Sequence, residues 1–463
     1  MIVVFALLLL FFAGIGVSSS LLKQKTTKDY LLAGQDVQPW LVALSAVATN
    51  NSGYMFIGMI GYTYMTGMQS IWLMVGWILG DFVGSILVYG KLRSMSEKYN
   101  ILSFGSLIAN HKGKVIPSIR LLSGVISFVF LSTYAAAQFS AGGKALAVTL
   151  EWEQWIGIVA GALLVVLYCF SGGIRASIWT DAAQSIVMFV AMGTLLWYAV
   201  EHMGGWSDTL DSLREVEEGY MCVFALDKSL SAALLVALGW LFAGFGVVGQ
   251  PHIMVRYMTL DNPRNIRKVR SYYYAWFTGF YALAIGVGLL ARVVLPGKGS
   301  FDPELALPMM SMQLLPDYLV GVMLAGIFAA TISTADSLII SCTSSISNDI
   351  FPKFKHNYTA SKIFTIVITL FAVGISLYGH SSVFEIVIYA WAVLGTVFGP
   401  VITLRMLGKS LNAQTTLTMM IVGGAVTLSW HFLGWGSIVY EMMPGIIAGF
   451  MAYAVGKQVW PER

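Results

Sequence analysis

The chain reads as a series of apolar runs separated by short polar stretches. Thirteen runs are long enough to cross a bilayer, which takes about 20 apolar residues in a helix. They fall at approximately 1–19, 40–62, 67–91, 118–147, 155–171, 178–200, 230–250, 272–295, 317–348, 361–379, 383–405, 414–433 and 437–456. Helices are expected throughout, because a chain crossing hydrocarbon must satisfy its own backbone polar groups. An odd number of crossings puts the termini on opposite sides. The first run, Met1 to Ser18, has no basic segment before it and no clean small-residue cleavage site after it. It reads as a spanning helix, not a removed signal.

The ninth run departs from the rest. From Ala330 to Asp349 it carries Thr331, Ser333, Thr334, Ser337, Ser341, Thr343, Ser344, Ser345, Ser347 and Asp336, yet it continues the apolar run Tyr318–Ala329 without a break. At 100° per residue, Ala330, Ser333, Thr334, Ser337, Ser341, Ser344 and Ser345 share one stripe. Small hydroxyl residues serve close helix packing in membranes, or they wall a cation or solute pathway. Asp336 favours the pathway, because a carboxylate is not tolerated against lipid.

Two runs look interrupted. In the second, Ala48-Thr49-Asn50-Asn51-Ser52-Gly53 lies in mid-span, a poor helix sequence whose side chains bond to local backbone. The seventh ends in Gly244-Phe245-Gly246-Val247-Val248-Gly249-Gln250-Pro251-His252. The two breaks are five helices apart. Interrupted helices at matching positions of two halves mark an inverted-repeat transporter. The expected fold is therefore an all-α integral membrane protein with a five-plus-five repeat and about 13 transmembrane helices. It forms a single transmembrane domain over 1–463. Residues 40–200 and 201–410 are the two repeats, 1–39 a peripheral first helix and loop, and 411–463 two peripheral C-terminal helices.

Composition agrees. The 463 residues are 57% hydrophobic and 11% charged, with a mean hydropathy of +0.76; soluble domains carry roughly 25% charge. Cys169, Cys222 and Cys342 have no metal-like spacing, and no disulfide framework is expected. Basic residues decide orientation. Of the 27 lysines and arginines, only Lys144, Arg214, Lys228, Arg292 and Lys298 fall in loops of one side; the other 22 fall on the opposite side. The positive-inside rule then makes the N-terminus external and the C-terminus cytoplasmic, in a multi-pass protein of the plasma (inner) membrane. Loops 92–117 and 252–271 are expected inside, and the acidic loop 201–229 outside.

Hard monovalent cations such as Na⁺ prefer oxygen ligands, and an unwound helix frees carbonyls. The break at 48–53 supplies two carbonyls; the ninth run supplies the Ala330 carbonyl and the Ser333 and Thr334 hydroxyls at i, i+3 and i+4. Together they make five oxygens without net charge, suited to weak, reversible binding. Tyr134 and Gln138 share a face of the fourth helix, where they line a pocket or bridge helices. Asp181 reads as an interfacial acid near the cytoplasmic start of the sixth helix. Asp81 and Glu385 read as packing or interfacial groups, and His252 and Arg256 as loop anchors. No phosphate-binding loop, zinc cluster or trusted nucleophile–base spacing is present, which disfavours an enzyme or an ATP-driven pump. A membrane sensor or a channel remains a rival from another class. A sensor usually carries an output domain, and a channel an uninterrupted polar pore, whereas these polar residues cluster near mid-span.

Gly249-Gln250-Pro251-His252-Ile253-Met254-Val255-Arg256-Tyr257-Met258 resembles the signature of the sodium/proline symporters of the sodium:solute symporter family. Asp29-Tyr30-Leu31-Leu32-Ala33-Gly34, Ala43-Leu44-Ser45-Ala46, Trp179-Thr180-Asp181, Tyr389-Ala390-Trp391-Ala392, Phe398-Gly399-Pro400-Val401 and Tyr440-Glu441-Met442-Met443-Pro444-Gly445 resemble the same subgroup, in order over nearly the whole chain. The resemblance implies a LeuT-like fold and Na⁺-driven uptake of a small organic solute, proline or a related zwitterion first. Sugars, sialic acid or carboxylates are alternatives. Na⁺ is the implied coupling ion, with no organic cofactor. The expected partners are solute, sodium ions and lipid bilayer, with no nucleic acid and no obligate protein partner.

The resemblance also implies a main Na⁺ site of the Ala48, Asn51 and Ala330 carbonyls with the Ser333 and Thr334 hydroxyls. It implies solute contacts or supports at Ser52, Gly53 and Tyr134, to which Gln138 and Gln250 are added. Three positions depart from the subgroup. Asn50 stands where the proline carriers have an Asp, and Ala243 and Val247 stand where they have a Trp and a Tyr lining the solute pocket. A second cation site is implied at Asp181 with Ser333, Asp336 and Ser337, although Asp336 replaces a hydroxyl. Two neighbouring buried carboxylates cannot both stay charged and unpaired. A cation, a proton, or a base such as Arg175 must balance them, unless they lie apart.

Overall fold

The computed structural model describes residues 1–22, 24–224, 229–379 and 382–461. Lys23, Lys228 and Arg463 of the charge pattern lie outside them. Every expected apolar run is helical. The helices are Ile2–Ser18, Pro39–Gly53 continuing through Tyr54–Gly58 to Met59–Thr66, and Ile71–Gly84 continuing through Ser85–Tyr89 to Gly90–Lys98. Pro117–Leu150, Gln154–Gly172, Ile174–His202, Leu230–Phe245, Ile266–Val294 and Asp317–Ser344 follow, then Tyr358–Tyr378, Val383–Met406, Ala413–Phe432 and Met442–Val459. Nine helical stretches among the described residues are long and apolar enough to cross a bilayer. One of them, Pro39–Lys98, spans two of the expected crossings and is interrupted at Gly67 (φ +65°, ψ −143°). The helices Ile2–Ser18, Ala413–Phe432 and Met442–Val459 are not among the nine.

Local chemistry sets the ends. Pro117 opens its helix at a position whose N–H would have no partner anyway. Asn412 caps Ala413–Phe432 by accepting the Thr415 N–H at 2.8 Å. Gly173 (φ +58°) makes the tight turn between two helices, where a Cβ would lie 2.4 Å from the Tyr30 carbonyl oxygen. Close approach matters as much within the bundle. A Cβ on Gly80 would sit 1.9 Å from the Leu241 carbonyl oxygen, so Ile71–Gly84 and Leu230–Phe245 meet backbone to backbone, as small-residue interfaces allow.

The hydroxyl-rich helix Asp317–Ser344 occupies the centre. Its residues from Met323 to Ser344 are all buried, and Pro39–Gly53, Pro117–Leu150, Ile174–His202 and Ile2–Ser18 pack around it. No side of it faces lipid along this length, which is why its polar groups are tolerated.

At the opposite end of the bundle from the basic loops, Glu304 joins three elements. Its carboxylate accepts from Lys144 Nζ (2.7 Å), Ser382 Oγ (2.8 Å) and the Phe384 N–H (3.0 Å). Burial alone would raise its pKa, but the bonds from Lys144 and Phe384 outweigh that and hold the carboxyl below its ordinary value.

Two expectations need correction. Residues 252–258 are not loop: Pro251–Met258 is a buried helix that continues the seventh run beyond its break. Asp181 is not interfacial: it lies within Ile174–His202 with no exposed surface.

Candidate functional site

The first break is narrower than the stretch 48–53 and centres on one residue. Ser52 adopts φ +48°, ψ −176°, a left-handed conformation costly for a residue with a Cβ. Neighbours hold it there. Ser52 Oγ accepts from the Tyr54 N–H (3.0 Å) and from the Tyr134 hydroxyl (3.3 Å), and Gln138 Oε1 accepts from the Gly53 N–H (2.8 Å). Tyr134 and Gln138 thus brace the break from the Pro117–Leu150 helix. Gly53 has no room for a side chain, since a Cβ would meet Thr331 Cγ2 at 2.7 Å. Ala48 to Asn51 remain helical, and their carbonyls form the last turn before the break, where helical partners run out.

The oxygen ladder faces that turn. Thr334 Oγ1 donates to the Thr49 carbonyl (3.3 Å), Ser333 Oγ donates to the Ala330 carbonyl (3.2 Å), and Thr49 Oγ1 lies 3.0 Å from Ser337 Oγ. Thr334 and Ser337 therefore meet, through Thr49, the turn that holds Ala48 and Asn51, while Ser333 bonds to Ala330 within its own helix. The Asn51 carbonyl accepts the Tyr54 N–H within its own segment. Thr49 is an oxygen source that sequence reasoning missed, although it lay within the predicted break. Asn50 turns the other way, donating through Nδ2 to the Tyr273 hydroxyl at 2.6 Å.

The second break is a short tight turn, Gly246–Gly249, then Gln250 in extended conformation (φ −92°, ψ 105°), then the helix Pro251–Met258. Gln250 Nε2 donates to the Trp391 carbonyl (2.9 Å), and Trp391 Nε1 donates to the Ala243 carbonyl (3.0 Å). Gln250 and Ala243 thereby pin the break to Val383–Met406. Ala243 and Val247 are fully buried, and ring faces come from elsewhere. Trp391 lies 5.1 Å from Trp77, and His252 stands edge-on to Tyr134 at 5.5 Å and 6.3 Å from Trp391. Both His252 ring nitrogens are buried with no hydrogen-bond partner among the described residues. The signal for His252 was present in the sequence. A proline after a glycine-rich break opens a new helix, so the next residue belongs to its first turn and not to a loop.

Beneath the ladder, Asp181 and Asp336 come together around Arg256, and all three have no exposed surface. Arg256 Nη2 lies 3.5 Å from Asp181 Oδ2 and 3.7 Å from Asp336 Oδ1. It donates to Ser177 Oγ (2.5 Å) and to Ser337 Oγ. Ser177 Oγ donates onward to Asp336 Oδ1 (2.6 Å), and Ser45 Oγ to Asp181 Oδ2 (2.6 Å). Arg175 is engaged elsewhere, with Asp29 Oδ1 and the Ala33 carbonyl, each at 2.7 Å. The base between the two carboxylates is therefore Arg256, read from sequence as a loop anchor.

Two interrupted helices, a buried row of hydroxyls beside one break and paired carboxylates near it are the arrangement of a secondary transporter. The sodium:solute symporter family model matches residues 30–423, and the chain belongs to that family. Among curated relatives, the high-affinity proline transporter PutP of Bacillus subtilis (strain 168) is 29% identical, covering 92% of this chain and 91% of the relative. The sodium/proline symporter of Escherichia coli (strain K12) is 27% identical, covering 93% and 88%. Among solved structures, a Na⁺-coupled sialic acid symporter in a substrate-bound outward-open state superposes with a TM-score of 0.83 at 19% identity, over 99% of this chain and 97% of that one. Mhp1, a nucleobase-cation-symport-1 family transporter, gives 0.58 at 15% identity, over 93% and 95%. The expected LeuT-like architecture is the fold of this chain.

Arg256→Gln would leave two buried carboxylates without their counter-charge. The expected cost is about 3–5 kcal/mol, seen as a lower melting temperature and poor accumulation in membranes. Adding Asp336→Asn to that variant should recover part of the loss. A single Arg256→Gln variant that melts like the unaltered protein would remove Arg256 from this role.

Proposed function

We propose that this symporter couples inward Na⁺ flow to uptake of proline or a related small zwitterion by alternating access. The observation that carries the reading is the bond from the Thr334 hydroxyl to the Thr49 carbonyl, which brings the turn before the Ser52 break against the hydroxyl ladder in a fully buried place. The main Na⁺ ligands are the carbonyls of Ala48, Asn51 and Ala330 with the hydroxyls of Ser333 and Thr334. Those hydroxyls already point at carbonyls, and Na⁺ would take the place of their protons as the shared partner. The Thr49 carbonyl stands close enough to replace one of the three.

The solute would lie beside the break, against Ser52, Gly53, Tyr134 and Gln138, with Asn50, Ala243, Val247 and Gln250 shaping the surroundings. The relatives that are proline carriers support a small zwitterion. Trp391, Trp77 and His252 offer the apolar faces and the unpartnered nitrogens that such a solute needs. The small side chains at Ala243 and Val247 support the competing reading, a bulkier organic solute.

Residues 40–200 and 201–410 act as the two repeats, each opening with its interrupted helix, while 1–39 and 411–463 are peripheral. The positive-inside bias supports an external N-terminus and a cytoplasmic C-terminus in the plasma (inner) membrane.

Arg256 balances one of the two carboxylates and leaves one negative charge. Asp181 Oδ1 and Asp336 Oδ2 have no hydrogen-bond partner among the described residues, and with Ser337 they suit a second monovalent cation.

Uptake into proteoliposomes tests the main reading. Labelled proline should accumulate only with an inward Na⁺ gradient, and Ser333→Ala or Thr334→Ala should raise the Na⁺ concentration needed for half-maximal uptake about tenfold, one lost oxygen ligand being worth roughly 1.5 kcal/mol. Accumulation of a bulkier solute, with proline unable to compete, would transfer the assignment to that solute. Unchanged Na⁺ dependence in both variants would displace the ion site.

For the second cation, Asp336→Asn should lower the Hill coefficient for Na⁺ toward one in folded protein. An unaltered coefficient would make the carboxylate pair a packing element only.

For orientation, single cysteines placed in 201–224 should react with an impermeant thiol reagent from outside, and those in 259–265 should not. The opposite pattern would invert the topology.

A further inference from the structure

Asp81 stands on the Ile71–Gly84 helix with no exposed surface. Its neighbours are phenols. The Tyr89 hydroxyl, further along the same continuous helix, donates to Asp81 Oδ1. The Tyr273 and Tyr274 hydroxyls face the same carboxyl from Ile266–Val294. Tyr257 closes the group, its ring stacked on Tyr89 with centroids 4.0 Å apart and 6.5 Å from Tyr273. Tyr281 stands beyond Tyr273 on the same helix, and Leu230–Phe245, packed against the Asp81 helix, carries no titratable side chain. The nearby cation is Arg270, whose Nη2 donates to the Ser85 carbonyl (2.6 Å). Among the described residues, no Lys, Arg or His pairs with Asp81. Other buried carboxylates differ: Asp29 has Arg175 at 2.7 Å, and Asp181 and Asp336 share Arg256.

A carboxylate without a counter-ion is costly in a medium of low dielectric, and bonds from neutral hydroxyls recover only part of that cost. Capacity is also left unused. Asp81 Oδ2, the Tyr257 and Tyr274 hydroxyls and Asn50 Oδ1 are buried without hydrogen-bond partners among the described residues. A proton on the carboxyl removes the charge and makes it a donor to a neighbouring hydroxyl oxygen. A hard metal ion would need a shell of oxygens, whereas the rings of Tyr89, Tyr257, Tyr273 and Tyr274 pack against one another here, with centroids 4.0 Å apart in one pair and 4.9 Å in another. The group also touches both interrupted helices. Asn50, on the turn before the Ser52 break, donates to the Tyr273 hydroxyl at 2.6 Å. Tyr257 belongs to Pro251–Met258, beyond the second break.

We propose that Asp81 is a proton-binding site linked to movement of the two interrupted helices. The carboxylate takes its proton from hydronium of the aqueous phase, leaving water, and returns it to water. An arrangement in which the phenols enclose the carboxyl favours the acid; one that admits water favours the carboxylate, so proton binding and helix arrangement bias each other. The link rests on the alternating-access reading above, whereas the site rests on its own geometry. Tyr273 and Asn50 act as positioning residues that carry the first break to Asp81.

The test is infrared difference spectroscopy of the purified full-length protein, unaltered against Asp81→Asn. At neutral pH the unaltered protein should show a protonated-carboxyl C=O band that the variant lacks, and the band should convert to carboxylate as pH rises. Asparagine matches the neutral acid in shape, and melting curves check that the variant folds. Tyr273→Phe keeps the carboxyl and gives a second comparison, in which the band should move in frequency because one hydroxyl is lost. Adding Na⁺ should move the midpoint of the band's disappearance about tenfold in proton concentration, within the ordinary range of coupling between sites. Tyr273→Phe should shrink that response. No such band in either comparison overturns the site, and a band that Na⁺ leaves unmoved overturns the link. If Asp81→Asn instead loses one bound radioactive Na⁺ per protein at saturation, the ligand is a metal ion and the proton assignment is overturned. Every reading is taken without solute, so a failure of proline uptake would count against the solute assignment alone.

Discussion

A buried guanidinium between two buried carboxylates is the constraint on which the centre of this protein depends. Each ion taken out of water costs several kcal/mol, recovered only if partners are close and the remaining hydrogen-bonding capacity is used. Arg256 meets the first condition with Asp181 and Asp336, and Ser45, Ser177 and Ser337 meet the second in part, leaving Arg256 Nε and Nη1, Asp181 Oδ1 and Asp336 Oδ2 without a partner among the described residues. The consequence is mechanical. Arg256 stands on the short helix after the second break, Asp181 on Ile174–His202 and Asp336 on the central hydroxyl helix. Three segments far apart in sequence are held at one point, and none can shift without separating charges in a medium of low dielectric.

That lock adjoins the weaker contacts between the ladder and Thr49. One hydroxyl–carbonyl bond, from Thr334 to the Thr49 carbonyl, joins the Ser52 segment to the ladder; it is uncharged and 3.3 Å long. The strained backbone at Ser52 survives because Tyr134 and Gln138 satisfy the groups around it. A charged clamp below and an uncharged contact above thus hold the central helix to its neighbours with different strength.

The same chemistry recurs at lower stakes at the surface. Glu304 gathers Lys144, Ser382 and the Phe384 N–H over one end.

The sequence by itself determined the elements and where the helices break. Apolar run length set the helices, because hydrocarbon leaves a backbone no alternative to helix. The hydroxyl stripe from Ala330 to Ser345 had to be buried, for the same reason. Even the two breaks were legible, since Thr-Asn-Asn-Ser-Gly and a glycine-rich run before proline are poor helix formers at mid-span. Tertiary structure decided which atoms met. Local propensity could not single out Ser52 from Ala48–Gly53, because Tyr134 and Gln138, about 80 residues away, select the residue that bears the strain. Nor could charge alone pair Asp181 and Asp336 with Arg256 instead of Arg175. Both arginines were available, and only the fold places one guanidinium against Asp29 and the other between the two carboxylates. Hydrophobic pattern is a property of each segment. Charge pairing is a property of distances between segments, which exist only after the helices have packed.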